Sequence, residues 1–222
     1  MSKYLNVFNT LAEYQAFSAS TEYVQPNVAL VKETNVLYYD YGDNKPQADM
    51  SDFKLETEET SVGGNKFGNS AITKINYIPS GITGLTNAFK DYTSLVNAPE
   101  IPSSVTNMNN TFYGCTSLVN APVIPSSVTN IESTFRDCSS LVNAPEIPNS
   151  VTSLSYTFYG CSSLKEVTFL HTTPPSYKNT LNSCPKLETI YVPDSAVSAY
   201  KTATGWSQFA SNIKPLSEKP SE

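Results

Sequence analysis

A repeat solenoid, a right-handed coil of short strands joined by 3-10 or helical turns, is the fold class this sequence predicts, and three columns of residues predict it. Phe89, Phe112, Phe135 and Phe158 recur every 23 residues, with Leu181 in the next slot. Three residues after each stand Tyr92, Cys115, Cys138, Cys161 and Cys184, and three further stand Leu95, Leu118, Leu141, Leu164 and Leu187. One such unit holds too few apolar residues to enclose a core. Stacked copies set like residues over like and bury a continuous spine.

The rest of the unit repeats as well. Ile78-Pro79, Ile101-Pro102, Ile124-Pro125 and Ile147-Pro148 form one column; Ile82, Val105, Val128 and Val151 form another; Leu85, Met108, Ile131 and Leu154 a third. The apolar columns run from residue 72 to 192, with a partial first unit opening near Asn69 through Ile72 and Ile75. If neighbouring coils pair like strands, five units make a slab on the order of 25 Å long.

Within a unit, Val105, Met108, Phe112 and Cys115 are spaced by three and four, which suits a helical or 3-10 turn with one apolar face inward. Pro99, Pro122 and Pro145 cannot donate a ladder hydrogen bond, so extended polyproline-like edges are expected there. The last two units, Leu164–Phe169 and Leu187–Val192, have no internal proline and are rich in β-branched residues, so they should pair as strands. Ser94, Ser117, Ser140 and Ser163, with Asn97, Asn120 and Asn143, form polar ladders expected to satisfy backbone groups at the bends.

Residues 1–60 lack the period and read as a small α+β cap or attachment module. Thr10-Leu-Ala-Glu13 is a capping box opening a helix with Leu11, Tyr14 and Phe17 on its apolar side, and residues 27–32 and 35–41 read as two strands around a turn. Residues 43–52 read as an exposed loop. The solenoid occupies residues 61–193. A C-terminal helical cap at 194–215 would start with Asp194 as N-cap and cover the last coil with Ala196, Val197, Tyr200 and Trp206; residues 216–222 are expected to be a disordered tail.

Composition narrows the function. A net charge of −6 argues against nucleic acid, which needs a basic face. No run of about 18 apolar residues is present, so no membrane-spanning helix is expected. The opening Met1–Asn6 has no apolar core and no lipid-acceptor cysteine, so an export signal is expected to be absent or already removed. Every gap between cysteines is 23 residues, unlike a zinc site, which leaves buried free thiols or bridges between neighbouring coils. His171, the single histidine, lies beside Pro174-Pro175 and is expected to face solvent without a role. Glu100 and Glu146 stand two coils, roughly 10 Å, apart, near the upper end of an inverting glycosidase pair, but Val123 lies between them and no cleft excludes water. No cofactor, no metal and no catalytic residue is expected, and the chain is not expected to be an enzyme.

A 23-residue unit such as Asn110-Thr-Phe-Tyr-Gly-Cys-Thr-Ser-Leu, followed by Ile124-Pro125, resembles the bacterial surface-antigen, or BspA-like, class of leucine-rich repeats over residues 69–193. The ending from Ile190 to Leu216 resembles the terminal cap of that class. The resemblance implies a curved, non-enzymatic leucine-rich-repeat solenoid on bacteria of the gut or oral cavity, used for adhesion. Ala98, Ala121 and Ala144 followed by proline depart from its usual Leu-x-x-Leu-x-Leu strand. Residues 8–17 and 26–39 resemble leaders of surface and phage-derived proteins of gut Bacteroidetes.

Two exposed rows are the candidate binding surface: Glu100, Val123, Glu146, Thr168 and Tyr191 along one face, and Lys90, Tyr113, Arg136 and Tyr159 along another. Tyrosines on a rigid scaffold give contact area at low entropy cost. The expected partner is a protein or glycan on a host or neighbouring cell, with the chain at the cell surface or secreted. The alternative is a phage virion component, a fibre or decoration protein contacting other virion proteins and forming homo-oligomers through residues 1–60.

Overall fold

The computed structural model describes Ile75, Ile78 and residues 81–220, together with strands β1 (Asn6–Phe8), β2 (Asn27–Val31) and β3 (Val36–Asp40). β1 pairs with β2 in parallel and β2 with β3 antiparallel, with Leu30 opposite Leu37. The expected helix at 10–17, the loop at 43–52 and the opening of the partial unit at 69–72 lie outside the described residues.

From Ile78 onward the chain is a stack of coils around one apolar spine. The Phe column is its axis: Phe89, Phe112, Phe135 and Phe158 stack with ring centroids 5.5, 5.7 and 5.6 Å apart, and the planes align from 24° down to 4°. The Leu, Val and Ile columns beside it are buried, except for Leu187, which is half-buried. Each residue type recurs at its place because each coil is a template for the next, so a side chain that packs on one copy of itself packs on all.

The turns after Val105 and its equivalents are isolated steps of the 3-10 kind and not α-helical. Ala88 donates to Leu85, Thr111 to Met108 and Cys115 to Phe112 through three-residue steps. The steps do not propagate, because two columns are left-handed: Asn87, Asn110, Ser133, Tyr156 and Asn179 at φ 52–57°, and Asp91, Gly114, Asp137, Gly160 and Ser183 at φ 59–75°. At those residues the N–H points along the stack instead of along a helix, as in Asn110 N–H to the Glu132 carbonyl and Gly114 N–H to the Arg136 carbonyl.

Buried side chains complete the stacking. Thr111, Thr134, Thr157 and Thr180 donate to the carbonyls of Leu85, Met108, Ile131 and Leu154 in the preceding coil. The thiols of Cys115, Cys138, Cys161 and Cys184 do likewise to Phe89, Phe112, Phe135 and Phe158. All four are free, three of them buried and Cys184 half-buried. The bend carbonyls are met by Thr116, Ser139 and Ser162, one residue before the serine column expected to do it. Asn120 does extend a ladder, donating to Asn97 Oδ1 at 2.6 Å.

On the opposite edge the proline-bearing coils touch only at single bridges, Asn97 to Asn120 and Asn120 to Asn143. The proline-free coils form strands β4 (Glu166–Thr168) and β5 (Thr189–Val192), parallel and in register from Glu166–Thr189 to Thr168–Tyr191. The chain then forms helix α1 (Val197–Thr202) and strand β6 (Ile213–Pro215), which pairs with β5. Trp206 is fully buried here, its ring edge-on to Phe169 and Tyr200 and its Nε1 donating to the Pro175 carbonyl at 2.7 Å.

Four expectations are corrected. Asp194 does not cap a helix: Val197–Thr202 follows a 3-10 turn, Asp194–Ala196, and the Asp194 carboxylate accepts the Ser217 N–H at 3.1 Å. The Ser217 hydroxyl, and after it that N–H, hold the Asp194 pKa below the usual range. Residues 216–220 are not a free tail, since Leu216–Glu218 forms a 3-10 turn and Lys219 lies 2.9 Å from Glu146. His171 is buried, 5% exposed, because the chain turns it inward to donate from Nε2 to the Val151 carbonyl at 2.7 Å. Thr168 and Tyr191 are also buried, at 3% and 5% exposure. They stand 23 and 46 residues past Pro145 and so continue the column of Pro99 and Pro122, both buried, not the glutamate row.

Candidate binding surface

The residue after each Phe lies between the Phe that anchors it in the core and the left-handed residue that follows. That left-handed residue is bonded to the next coil: Asp91 N–H donates to the Tyr113 carbonyl at 2.7 Å and Asp137 N–H to the Tyr159 carbonyl at 2.7 Å. Lys90, Tyr113, Arg136 and Tyr159 are thus held one coil apart as an alternating comb of cation and ring. Lys90 Nζ lies 4.8 Å from the Tyr113 ring centroid, and Arg136 Cζ lies 5.4 Å from Tyr113 and 5.0 Å from Tyr159.

Tyr156, from the adjacent column, adds a third ring 5.6 Å from Arg136. The Arg136 Nε is 3.6 Å from Asp137 Oδ2, so its charge is partly balanced by its own neighbour. Each comb residue is half-buried. The ring faces hold the cations, which leaves ring edges, hydroxyls and guanidinium rims to face outward. That set can stack against and hydrogen-bond a polar ligand, and its rigidity lowers the ordering cost of doing so.

The other row is partly assembled. Glu100, Val123 and Glu146 are exposed, Val123 at 83%. Asn143 bridges Glu166 while Ile147 bridges Phe169, four residue steps facing three, so Glu146 bulges outward with no counterpart in the next coil. The row therefore ends at Glu146, short of the buried Thr168 and Tyr191. Beside it lies an open groove of about 700 Å3, bordered by Pro122, Val123, Pro145 and Glu146 on the coils and by Leu216 and Lys219 on the returning C-terminal segment.

Sequence reasoning singled out the comb residues but not their pairing, nor Tyr156 or Lys219. A signal for the pairing was present: the dipeptides Lys90-Asp91, Tyr113-Gly114, Arg136-Asp137 and Tyr159-Gly160 alternate, which is a two-coil period. The glycine of one coil makes room for the aspartate of the coil before, since a Cβ at Gly114 or Gly160 would collide with the carboxylate of Asp91 or Asp137. Lys219 carried no such signal, because it falls outside the repeat.

Burial dominates the titrating groups of the core. It pushes the Cys115 thiol up to about 12 and Cys184 to about 11, and holds Cys138 and Cys161 well above the ordinary value. Such thiols stay protonated and are poor nucleophiles. Burial lowers the pKa of His171, which stays neutral, with the proton on Nε2. Among the described residues no three metal-ligating groups cluster, and no helix is long and apolar enough to cross a membrane.

A model of the BspA type leucine rich repeat region matches six copies over residues 46–155 and 133–214. No curated protein matches the chain. The crystal structure of a leucine rich cell surface protein from Faecalibacterium prausnitzii A2-165 is similar over 88% of this chain, at 23% identity and a TM-score of 0.55. The similarity covers 48% of that protein, so the chain spans about half its length. A T. pallidum leucine rich repeat protein is similar over 61% of this chain and 73% of its own, at 22% identity and a TM-score of 0.39. A leucine-rich repeat protein from Bacteroides ovatus ATCC 8483 is similar over 88% of this chain and 76% of its own, at 16% identity and a TM-score of 0.34. The Faecalibacterium likeness shows a shared repeat fold.

Proposed function

The chain belongs to the BspA-type leucine-rich repeat family, and on that premise we propose that it is a non-catalytic binding protein, displayed at a cell surface, that adheres to a protein or glycan of a host or neighbouring cell. The observation that carries this reading is the comb of Lys90, Tyr113, Arg136 and Tyr159. Its cations and rings are ordered before any ligand arrives, which is how a rigid scaffold holds an adhesive face. The cell-surface description of the Faecalibacterium protein supports the location.

The test is binding of the purified chain to immobilised glycans and extracellular-matrix proteins, beside a Tyr113→Ala/Tyr159→Ala variant. A ligand that the variant binds about tenfold more weakly or worse supports the reading. A chain that binds nothing, or a variant that binds equally well, overturns it. Recovery of the chain in purified virions would replace it with display on a phage particle.

A further inference from the structure

Residues 94–102 and 140–148 are identical, Ser-Leu-Val-Asn-Ala-Pro-Glu-Ile-Pro, and the intervening copy at 117–125 differs only in having Val123 for the glutamate. The three copies stack as Glu100, Val123, Glu146, so the surface presents two chemically equal acidic positions flanking one exposed valine. The copy at Glu146 is engaged. Lys219 of the chain's own C-terminal segment donates to Glu146 Oε1 at 2.9 Å, while Leu216 and Pro220 line the groove shared with Pro122 and Val123.

The copy at Glu100 is not engaged. Glu100 is exposed and has no ion-pair or hydrogen-bond partner among the described residues, and Val123 is 83% exposed beside it. Geometry explains why the resident segment stops short. It leaves β6 at Pro215, and β6, β5, β4 and the Glu146 coil are successive neighbours. Three spacings at about 4.8 Å come to roughly 14 Å, which the Leu216–Glu218 3-10 turn, rising about 2 Å per residue, and the Lys219 side chain together span. Glu100 lies two coils beyond the reach of Lys219.

We propose that Glu100 and Val123 dock a segment of a partner protein that makes one 3-10 turn, in which an apolar residue stands three positions before a lysine, as Leu216 stands before Lys219. The resident segment shows the mode on an identical sequence: the lysine meets the exposed glutamate, and the apolar residue borders the proline-edged groove. The acidic character of the row selects a basic segment over an acidic one. Because the pair is exposed and the resident contact is intramolecular, the same segment supplied from outside binds weakly and in a salt-dependent way. The proposal rests on the chain being a binding protein but names a different face from the comb.

The test is titration of a fluorescein-labelled peptide, Pro-Leu-Ser-Glu-Lys-Pro, with the full chain, followed by fluorescence anisotropy. The expected result is saturable binding that Glu100→Gln weakens about three- to five-fold, that Val123→Asp weakens more, and that is lost when the peptide lysine is replaced by glutamate. Unchanged thermal melting of Glu100→Gln shows that the loss is not unfolding. No saturable binding overturns the proposal. So does binding that responds to Glu146→Gln and not to Glu100→Gln, which means exchange with the resident segment, and so does concentration-dependent self-association abolished by Glu100→Gln, which makes the occupant a second copy. The titration uses no host ligand, so it reports on this site whether or not the comb proves adhesive.

Discussion

The guanidinium of Arg136 lies 5.0 Å from the ring centroid of Tyr159 in the next coil, and the backbone between them is fixed by the Asp137 N–H bond to the Tyr159 carbonyl at 2.7 Å. Side-chain pairing and coil stacking are therefore one contact seen twice, and the comb contributes to stability as well as presenting a surface.

Arg136→Ala should destabilise the chain by about 1 kcal/mol, since it removes contacts to Tyr113, Tyr156 and Tyr159 that are individually weak and half-exposed. Chemical denaturation checks this. Tyr159→Phe, which keeps the ring, should leave stability nearly unchanged, and an equal loss in both variants would show that the cation is not what matters.

Gly160→Ala should cost on the order of 2 kcal/mol, because the residue sits at φ +75° and its Cβ meets the Asp137 carboxylate. Adding Asp137→Gly should recover part of that cost, by removing the collision but not the strain at residue 160. A double variant no more stable than the single one would mean that the backbone alone sets the cost.

Stability should fall between about pH 9 and pH 12. The thiols have an ordinary value of 9.0, and burial raises Cys115 to about 12 and Cys184 to about 11. Above the unfolded value the unfolded chain loses protons that the folded chain retains, so rising pH favours unfolding until the folded thiol also ionises. Tyr177, pushed by burial to about 12 from 10.0, adds to the fall in the upper half of the window. Urea denaturation against pH, with Cys138→Ala flattening the slope, reads this out. Alkylation of the native chain should begin at half-buried Cys184.

Stability should also fall as pH drops below about 6.5. Burial depresses the His171 pKa below that ordinary value, so the unfolded chain takes up a proton that the folded chain refuses. His171 Nδ1 is buried without a partner, which adds to the cost of charging the ring. In thermal melts from pH 7 to pH 5, His171→Phe should remove this segment of the pH dependence; an unchanged slope would assign it to carboxylates instead.

Trp206→Phe should cost about 2 kcal/mol, through the lost bond to the Pro175 carbonyl and lost packing on Tyr200. Because Trp206 is the only tryptophan, its fluorescence follows the C-terminal segment alone. Fluorescence and circular dichroism melts that coincide would show that this segment and the coils unfold together.

How much of this was legible in the sequence depended on whether a residue belonged to the period. The Phe and Leu columns were, and so were the strands of the proline-free coils, since stacking repeats whatever the sequence repeats. The spacing of three and four reads as a helical or 3-10 turn, and the i+3 bonds of the 3-10 kind are present; what the spacing does not show is that Asn87 and Asp91 are left-handed and turn their N–H along the stack. The comb was read as a row of exposed residues; its pairing needed the coil spacing. Thr168 and Tyr191 were assigned to the wrong column because one coil is a residue shorter at that edge, and a one-residue slip in extended chain moves a side chain from solvent to interior.

The sequence by itself determined the 23-residue coil, its apolar spine and its family, because a periodic pattern of burial admits one stacking and each unit restates it. Only the tertiary structure decided what the aperiodic residues do: His171 turned onto the Val151 carbonyl, Trp206 onto Phe169, Lys219 back onto Glu146. Those contacts join residues between 20 and 73 positions apart, and no local preference encodes a partner at that distance; it is found only when the stacked coils set where each end of the chain can reach.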